Sequence, residues 1–135
     1  MSISRLQVVW KLMLVALVVV PTAYCETEPN DTIANANVVQ VNSSVSGSLT
    51  AEAPHDVCDF YKVTLPNDGM VQIGAEPTAE MDISIELLDT DAFTSLLSTN
   101  ANARGGSEGL LHRNLRAGTY FLVVRLEKGT GDYTV

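Results

Sequence analysis

From Val38 onward the apolar side chains tend to recur at every second position, in short runs cut by glycine, proline, asparagine and aspartate. That alternation turns one face of an extended strand toward a core and the other toward water, and it does not produce a helical stripe. The clearest case is Ile83, Ile85 and Leu87 set against Asp82, Ser84 and Glu86. Tyr61, Val63 and Leu65 share a face opposite Lys62 and Thr64, and Val71, Ile73 and Ala75 share the next. Val38–Val41 and Val45–Leu49 read as short strands, Phe93–Leu97 as a weak one, and Leu110–Leu115 leads to a turn at Ala117-Gly118. The run from Tyr120 to Leu126 begins apolar on both faces, which predicts a central strand covered on both sides. Pro66-Asn67-Asp68-Gly69 and Asp89-Thr90-Asp91 mark turns, and Ala101–Ser107 reads as a flexible loop. Gly129-Thr130-Gly131 reads as a hairpin turn into Tyr133-Thr134-Val135. Only Ile33–Ala36 offers a helical turn. Strands punctuated this often predict an all-β chain folded as an antiparallel sandwich or barrel.

The front of the chain follows other rules. Arg5 and Lys11 make a basic start, Leu12–Val20 is an uncharged apolar run, and Pro21, Thr22 and Ala23 follow. This is the layout of a secretory signal peptide. The uncharged stretch from Leu12 to Cys25 is 14 residues, short of the ~20 that span a bilayer. Residues 1–25 are therefore expected to be a leader and 26–135 one domain, secreted or held in the periplasm or cell envelope, with no transmembrane span. Cleavage after Cys25 puts Ala23 at the −3 position. Cleavage after Ala23 would retain Cys25. Lipidation of Cys25 would place Tyr24 where a small residue is usual.

Charge narrows the partners. The stretch from Glu26 carries six basic and sixteen acidic residues, a net charge of −10. Such a surface repels phosphate backbones, so nucleic acid is not an expected partner. A solvated acidic surface explains most of this charge, and cation binding would use some of it.

Two segments concentrate oxygen ligands: Glu26-Thr27-Glu28-Pro29-Asn30-Asp31-Thr32 and Asp56-Val57-Cys58-Asp59. Calcium takes six to eight oxygens from carboxylates, amides, carbonyls and water. Neither segment supplies that shell alone, and together they do if the first crosses the loop carrying the second. The plain alternative is that Asn30-Asp31-Thr32 caps a helical turn and that Asp56 and Asp59 mark a loop. Other chemistries fail on spacing. Asp89-Thr90-Asp91 opens like an EF-hand loop, but position six is Thr94 and position twelve Asn100. His55 and His112 stand alone, and Ser107 lacks a nucleophile elbow. Asp56 and Asp59 as a glycosidase pair would lack a sugar cleft. Tyr61, Tyr120, Phe121 and Tyr133 lie on strands and read mostly as core packing, with an exposed tyrosine stripe gripping an extended polymer as the alternative.

The order of several short motifs carries a resemblance. Glu26-x-Glu28-Pro29-Asn30-Asp31-Thr32 is followed by Val45-Ser46-Gly47-Ser48-Leu49 and by Asp56-x-x-Asp59-x-Tyr61-x-Val63-x-Leu65. Asp82–Asp89, Leu115–Val124 and Gly131–Val135 complete the series. Together they resemble the bacterial pre-peptidase C-terminal domain, across Glu26 to Val135. The resemblance implies a jelly-roll-like β-sandwich appended to secreted proteases and not itself catalytic. The similar collagen-binding domains of clostridial collagenases bind calcium between an arm and a loop of this kind. Carried over, this proposes Glu26, Glu28, Asn30, Asp31, Asp56 and Asp59 as calcium ligands. A Cys25–Cys58 disulfide would then pin the arm to the loop, provided Cys25 is retained. The reading is a monomeric, non-catalytic accessory module contacting an extracellular protein or polysaccharide. The alternatives are a metal-free structural envelope protein and a fragment of a larger secreted peptidase, since the chain stops inside its final strand.

Overall fold

The computed structural model describes residues 23–135. The basic start and the run Leu12–Val20, on which the expected leader rests, lie outside the described residues. Ten strands follow in order: β1 (Ala23–Cys25), β2 (Asn37–Val39), β3 (Ser44–Thr50), β4 (Cys58–Leu65), β5 (Gly69–Pro77), β6 (Asp82–Leu88), β7 (Ser95–Thr99), β8 (Glu108–Leu115), β9 (Gly118–Lys128) and β10 (Thr130–Thr134). A single 3-10 turn, Ile33–Asn35, stands where one helical turn was expected. Among the described residues no helix is long and apolar enough to cross a membrane.

The strands form two five-stranded sheets packed as a sandwich. The first runs β1-β3-β10-β5-β8 and the second β2-β4-β9-β6-β7. All pairings are antiparallel except β1 with β3 and β2 with β4, the two short edge strands contributed by the front of the chain. The inward residues of the alternating runs meet between the sheets. Val45, Leu49, Ile83, Ile85, Leu87 and Val124 are almost fully buried there, each worth roughly 1.5–3 kcal/mol of transfer free energy. β9 is the middle strand of its sheet, as its two apolar faces predict, and Val123 on its outward face is also buried.

Three local expectations change. The first is the hairpin at Gly129. β10 does not fold back on β9 but crosses to the opposite sheet, where it pairs with β3 and β5. The reason is that β9 already pairs with β4 on one edge and β6 on the other, so no edge remains for β10. Gly129 makes the corner with φ of +84°, and a β-carbon there would sit 2.1 Å from the carbonyl oxygen of Glu80. The second is β7, which starts at Ser95, leaving Phe93 89% exposed at the preceding turn. The third is the loop Ala101–Ser107. It is tied down by buried Glu108, whose carboxylate accepts from the backbone of Ala101 (3.0 Å) and Asn102 (2.8 Å) and from the Thr99 hydroxyl (2.9 Å).

Gly129→Ala is expected to destabilise the domain by about 2 kcal/mol or more, because it adds both positive-φ strain and a backbone clash. Thermal unfolding followed by circular dichroism measures this. A melting temperature equal to that of the parent would show that the corner does not constrain the fold.

Candidate metal centre

β1 ends at one edge of the first sheet and β2 begins at the edge of the second. The arm from Glu26 to Ala36 therefore crosses from sheet to sheet. Backbone hydrogen bonds fasten it: Glu26 N–H donates to Ser46 O (3.0 Å), and Phe60 N–H donates to Asn30 O (3.0 Å). The Asn37 side chain braces it further, accepting from Thr27 N–H (2.7 Å) and donating to Thr27 O (2.9 Å). On the other side, Thr50 and Asp56 exchange both backbone hydrogen bonds (2.6 and 3.0 Å), which closes the β3–β4 loop and delivers Asp56 and Asp59 toward the arm.

The six residues chosen from the sequence come together. Carboxylate oxygens of Glu26, Glu28 and Asp59 lie within 4.8 Å of one another, as do those of Glu28, Asp31 and Asp56. Glu28 belongs to both triads. Asn30 sits beside them, fully buried like Asp59. Its backbone N–H donates to Glu28 Oε2 at 3.0 Å. Its amide nitrogen donates to Glu28 Oε2 (3.1 Å) and Asp59 Oδ1 (2.6 Å), the orientation that satisfies both ends of the amide.

Two tyrosines that the sequence presents as plain core residues complete the floor of the site. Tyr61 on β4 donates to Glu26 Oε2 at 2.5 Å, and Tyr133 on β10 donates to Asp59 Oδ2 at 2.5 Å. The two hydroxyls also touch each other, so one network joins both sheets and the arm. Burial drives both phenol pKa values far upward, which keeps them neutral donors. Glu26 Oε1 accepts from Ser48 N–H at 2.6 Å. Gly47 makes this approach possible: a β-carbon there would lie 2.4 Å from Glu26 Oε2 and 2.5 Å from the Tyr133 hydroxyl. The available signal was chemical: tyrosine rather than phenylalanine at a buried position implies a partner for its hydroxyl.

Positive charge is missing from this cluster. Among the described residues the ion pairs are Arg104 with Glu80 and Arg125 with Glu86, and neither touches it. Burial, with Glu28 and Asp31 adding repulsion, raises the Asp56 pKa to about 7. Burial raises that of Asp59 to about 8, reinforced by Glu26, Asp56 and Glu28 and opposed by the Tyr133 hydrogen bond. Asp56 Oδ1 is buried without a hydrogen-bond partner. Carboxylate-rich, donor-poor and holding an orphaned oxygen, the cluster fits a hard cation with oxygen ligands.

No protein-family model matches the sequence. No curated protein matches it either. Among solved structures, the pre-peptidase C-terminal domain of collagenase from Bacillus anthracis superposes with a TM-score of 0.58 at 21% identity, covering 73% of this chain and 90% of that one. This chain has the pre-peptidase C-terminal domain fold. Within that fold the two cysteines are free thiols. The expected disulfide is not formed: the Cys25 thiol faces a groove beside Ser46 and Glu76, while the Cys58 thiol packs against Arg125, 3.7 Å from Nη1, on the other sheet.

A carboxyl whose pKa is raised by folding holds its proton in the native state after the unfolded chain has released it. Its stabilisation is complete below the unfolded value of 3.8 and is lost as pH rises through about 7 to 8. In chelator, the melting temperature is therefore expected to fall between about pH 5 and pH 8.5, and Asp59→Asn should flatten that slope. A slope unchanged by Asp59→Asn would show that Asp59 does not hold the proton.

Proposed function

We propose that this chain is a secreted, non-catalytic accessory module in which calcium fastens the N-terminal arm to the sandwich. The observation that carries this reading is the convergence of five carboxylates and one buried amide, from two separated segments, on a point with no compensating positive charge. Isolated buried charge is costly unless paired or bound to metal. The donors are all oxygen, with no histidine or thiolate among them, which favours calcium over zinc. Glu28 would hold an ion in common with Glu26 and Asp59, and another in common with Asp31 and Asp56. Asn30 would turn its oxygen inward as a ligand. Binding would release the protons that Asp56 and Asp59 hold in the metal-free state.

The ion supplies positive charge that the chain's own residues lack. The residues do the rest. Tyr61 and Tyr133 orient Glu26 and Asp59 from beneath, Ser48 N–H fixes the second oxygen of Glu26, and the Thr50–Asp56 backbone pair holds the loop closed. Glu26 and Asp59 accept from tyrosine hydroxyls and Glu28 from the arm backbone, which suits fastening rather than turnover. The likeness to a collagenase domain supports an accessory role beside a secreted enzyme; the partner proposed for that role is an extracellular protein or polysaccharide.

Millimolar calcium is expected to raise the melting temperature. At a hundred times the dissociation constant the gain is roughly 2.7 kcal/mol, a shift on the order of 10 °C for a domain this size. Glu28→Gln removes the carboxylate common to both triads and should abolish most of the shift. Superimposable melting curves in chelator and in calcium would end the proposal, as would a calorimetric titration without heat or proton release.

A further inference from the structure

Three turns meet at the end of the sandwich opposite the arm. Residues 66–68 lead from β4 to β5, residues 89–94 from β6 to β7, and residues 116–117 from β8 to β9. Leu65 pairs with Gly118 and Leu88 with Phe121, which brings the three together. Asp59 pairs with Val124 toward the far end of β4, so strand rise puts roughly 20 Å between this end and the arm cluster.

The turns are braced against one another. Ala117 N–H donates to Asp68 Oδ1 at 2.7 Å, and the Tyr120 hydroxyl donates to Arg116 O at 2.9 Å. Thr90 packs on the start of β9, where a β-carbon on Gly118 would lie 3.0 Å from its Cγ2. Asp89 N–H donates to Thr94 O (2.8 Å), and Asp91 Oδ1 accepts from the N–H groups of Phe93 (2.9 Å) and Thr94 (2.7 Å). A surface held this way is preformed, so little conformational freedom is lost when a partner binds it.

The side chains presented there differ from the rest of an acidic surface. The β5–β8 register slips at this end: Gly69 faces Leu115 and Val71 faces His112, so Arg113 and Asn114 together oppose Met70. Asn114 takes a φ of +63°. Such a bulge bends the strand and re-aims its side chains. Arg113, Asn114 and Arg116 line one cleft of about 650 Å³, with Asp68 and Met70 also on its wall. Both arginines are exposed, and among the described residues neither joins an ion pair. Asp68 sets one negative charge against two positive ones, and its Oδ1 is already taken by Ala117. Apolar groups stand beside this charge. Leu111, on the same outward face of β8 as Arg113, is 43% exposed, and Phe93 projects from the turn between β6 and β7.

We infer that this end of the sandwich docks an acidic, apolar-bearing segment of a partner protein. A guanidinium fork matches a carboxylate through two parallel hydrogen bonds. Arginine, methionine and aromatic side chains are also the types enriched where proteins meet. The apolar groups discriminate among partners that carry negative charge. A uronate or sulfated polysaccharide would answer the arginines and leave Phe93 and Leu111 without a contact. An anionic lipid surface would meet Asp89 and Asp91 beside Phe93 and be repelled. The inference narrows the partner proposed above to a protein and rests on that accessory reading. None of its residues belongs to the arm cluster, so it stands with or without calcium.

The probe is a synthetic peptide, Gly-Glu-Leu-Glu-Leu-Glu-Gly, titrated into the ¹⁵N-labelled full chain in chelator and again in calcium. Saturable shifts of the Arg113 and Arg116 side-chain Nε–H signals, and of the Asn114 and Phe93 amides, are expected in both conditions. Arg113→Gln and Arg116→Gln should each weaken binding about fivefold or more, and Phe93→Ser about threefold or more. The dispersed spectrum should persist in all three, because each side chain is exposed. A peptide with serine in place of every glutamate should bind roughly tenfold more weakly. Four outcomes overturn the inference: no saturable shift, affinities that none of the three variants changes, equal binding of the serine peptide, or a polyuronate oligomer that competes for the same signals and is indifferent to Phe93→Ser. A fifth is a doubled mass in light scattering of the free chain that Arg113→Gln abolishes, which would mean that a second copy's acidic arm fills the cleft. Identical melting curves in chelator and in calcium, together with the expected shifts, would count against the calcium reading and for this one.

Discussion

Tyr61 and Tyr133 meet hydroxyl to hydroxyl inside the sandwich, and much of the molecule is organised around that meeting. One ring belongs to each sheet, so the contact ties the layers together at a point where van der Waals packing alone would leave two polar groups unsatisfied. Tyr61 then reaches Glu26 in the arm, and Tyr133 reaches both Asp59 on β4 and, at 3.3 Å, the same Glu26 oxygen. The arm is thereby attached to a network whose other members lie in both sheets. Gly47 is part of the same constraint, because the network occupies the space its side chain would take.

That network also concentrates like charge. A carboxylate accepting from a neutral phenol is hydrogen-bonded but not neutralised, and a second carboxylate nearby raises the cost of ionising either. Burial and the neighbouring carboxylates push the Asp56 and Asp59 pKa values upward, which favours their protonated forms, and the Asn30 amide donates to Glu28 and Asp59. Under the calcium proposal a divalent ion would relieve the same repulsion differently, replacing protons with a charge that draws the oxygens together, and it would hold the arm above neutral pH as well.

Much of this was legible in the sequence. Period-two runs such as Ile83–Leu87 placed the strands, and the doubly apolar start of β9 placed the centre of its sheet. The six clustered ligand candidates were legible because carboxylates and an amide crowd into two short segments, with a family-like order of motifs around them. What escaped was long-range. The glycines near residue 129 look the same whether a strand folds back on its neighbour or crosses to another sheet. Only the occupancy of both edges of β9 decides, and that depends on β4 and β6, far away in sequence. Ala101–Ser107 reads as a flexible loop until the backbone amides that Glu108 holds are seen. Tyr61 and Tyr133 read as bulk until their hydroxyls are followed.

The placement of β1 and β10 has a further consequence. They flank β3, so that Tyr24 and Val135 lie on opposite sides of the same residue, Val45. The strand that carries Gly47 and Ser48 is thus held on one edge by β1 and on the other by β10, so a displacement of β3 that opened the space beneath the arm would have to break pairings on both sides at once.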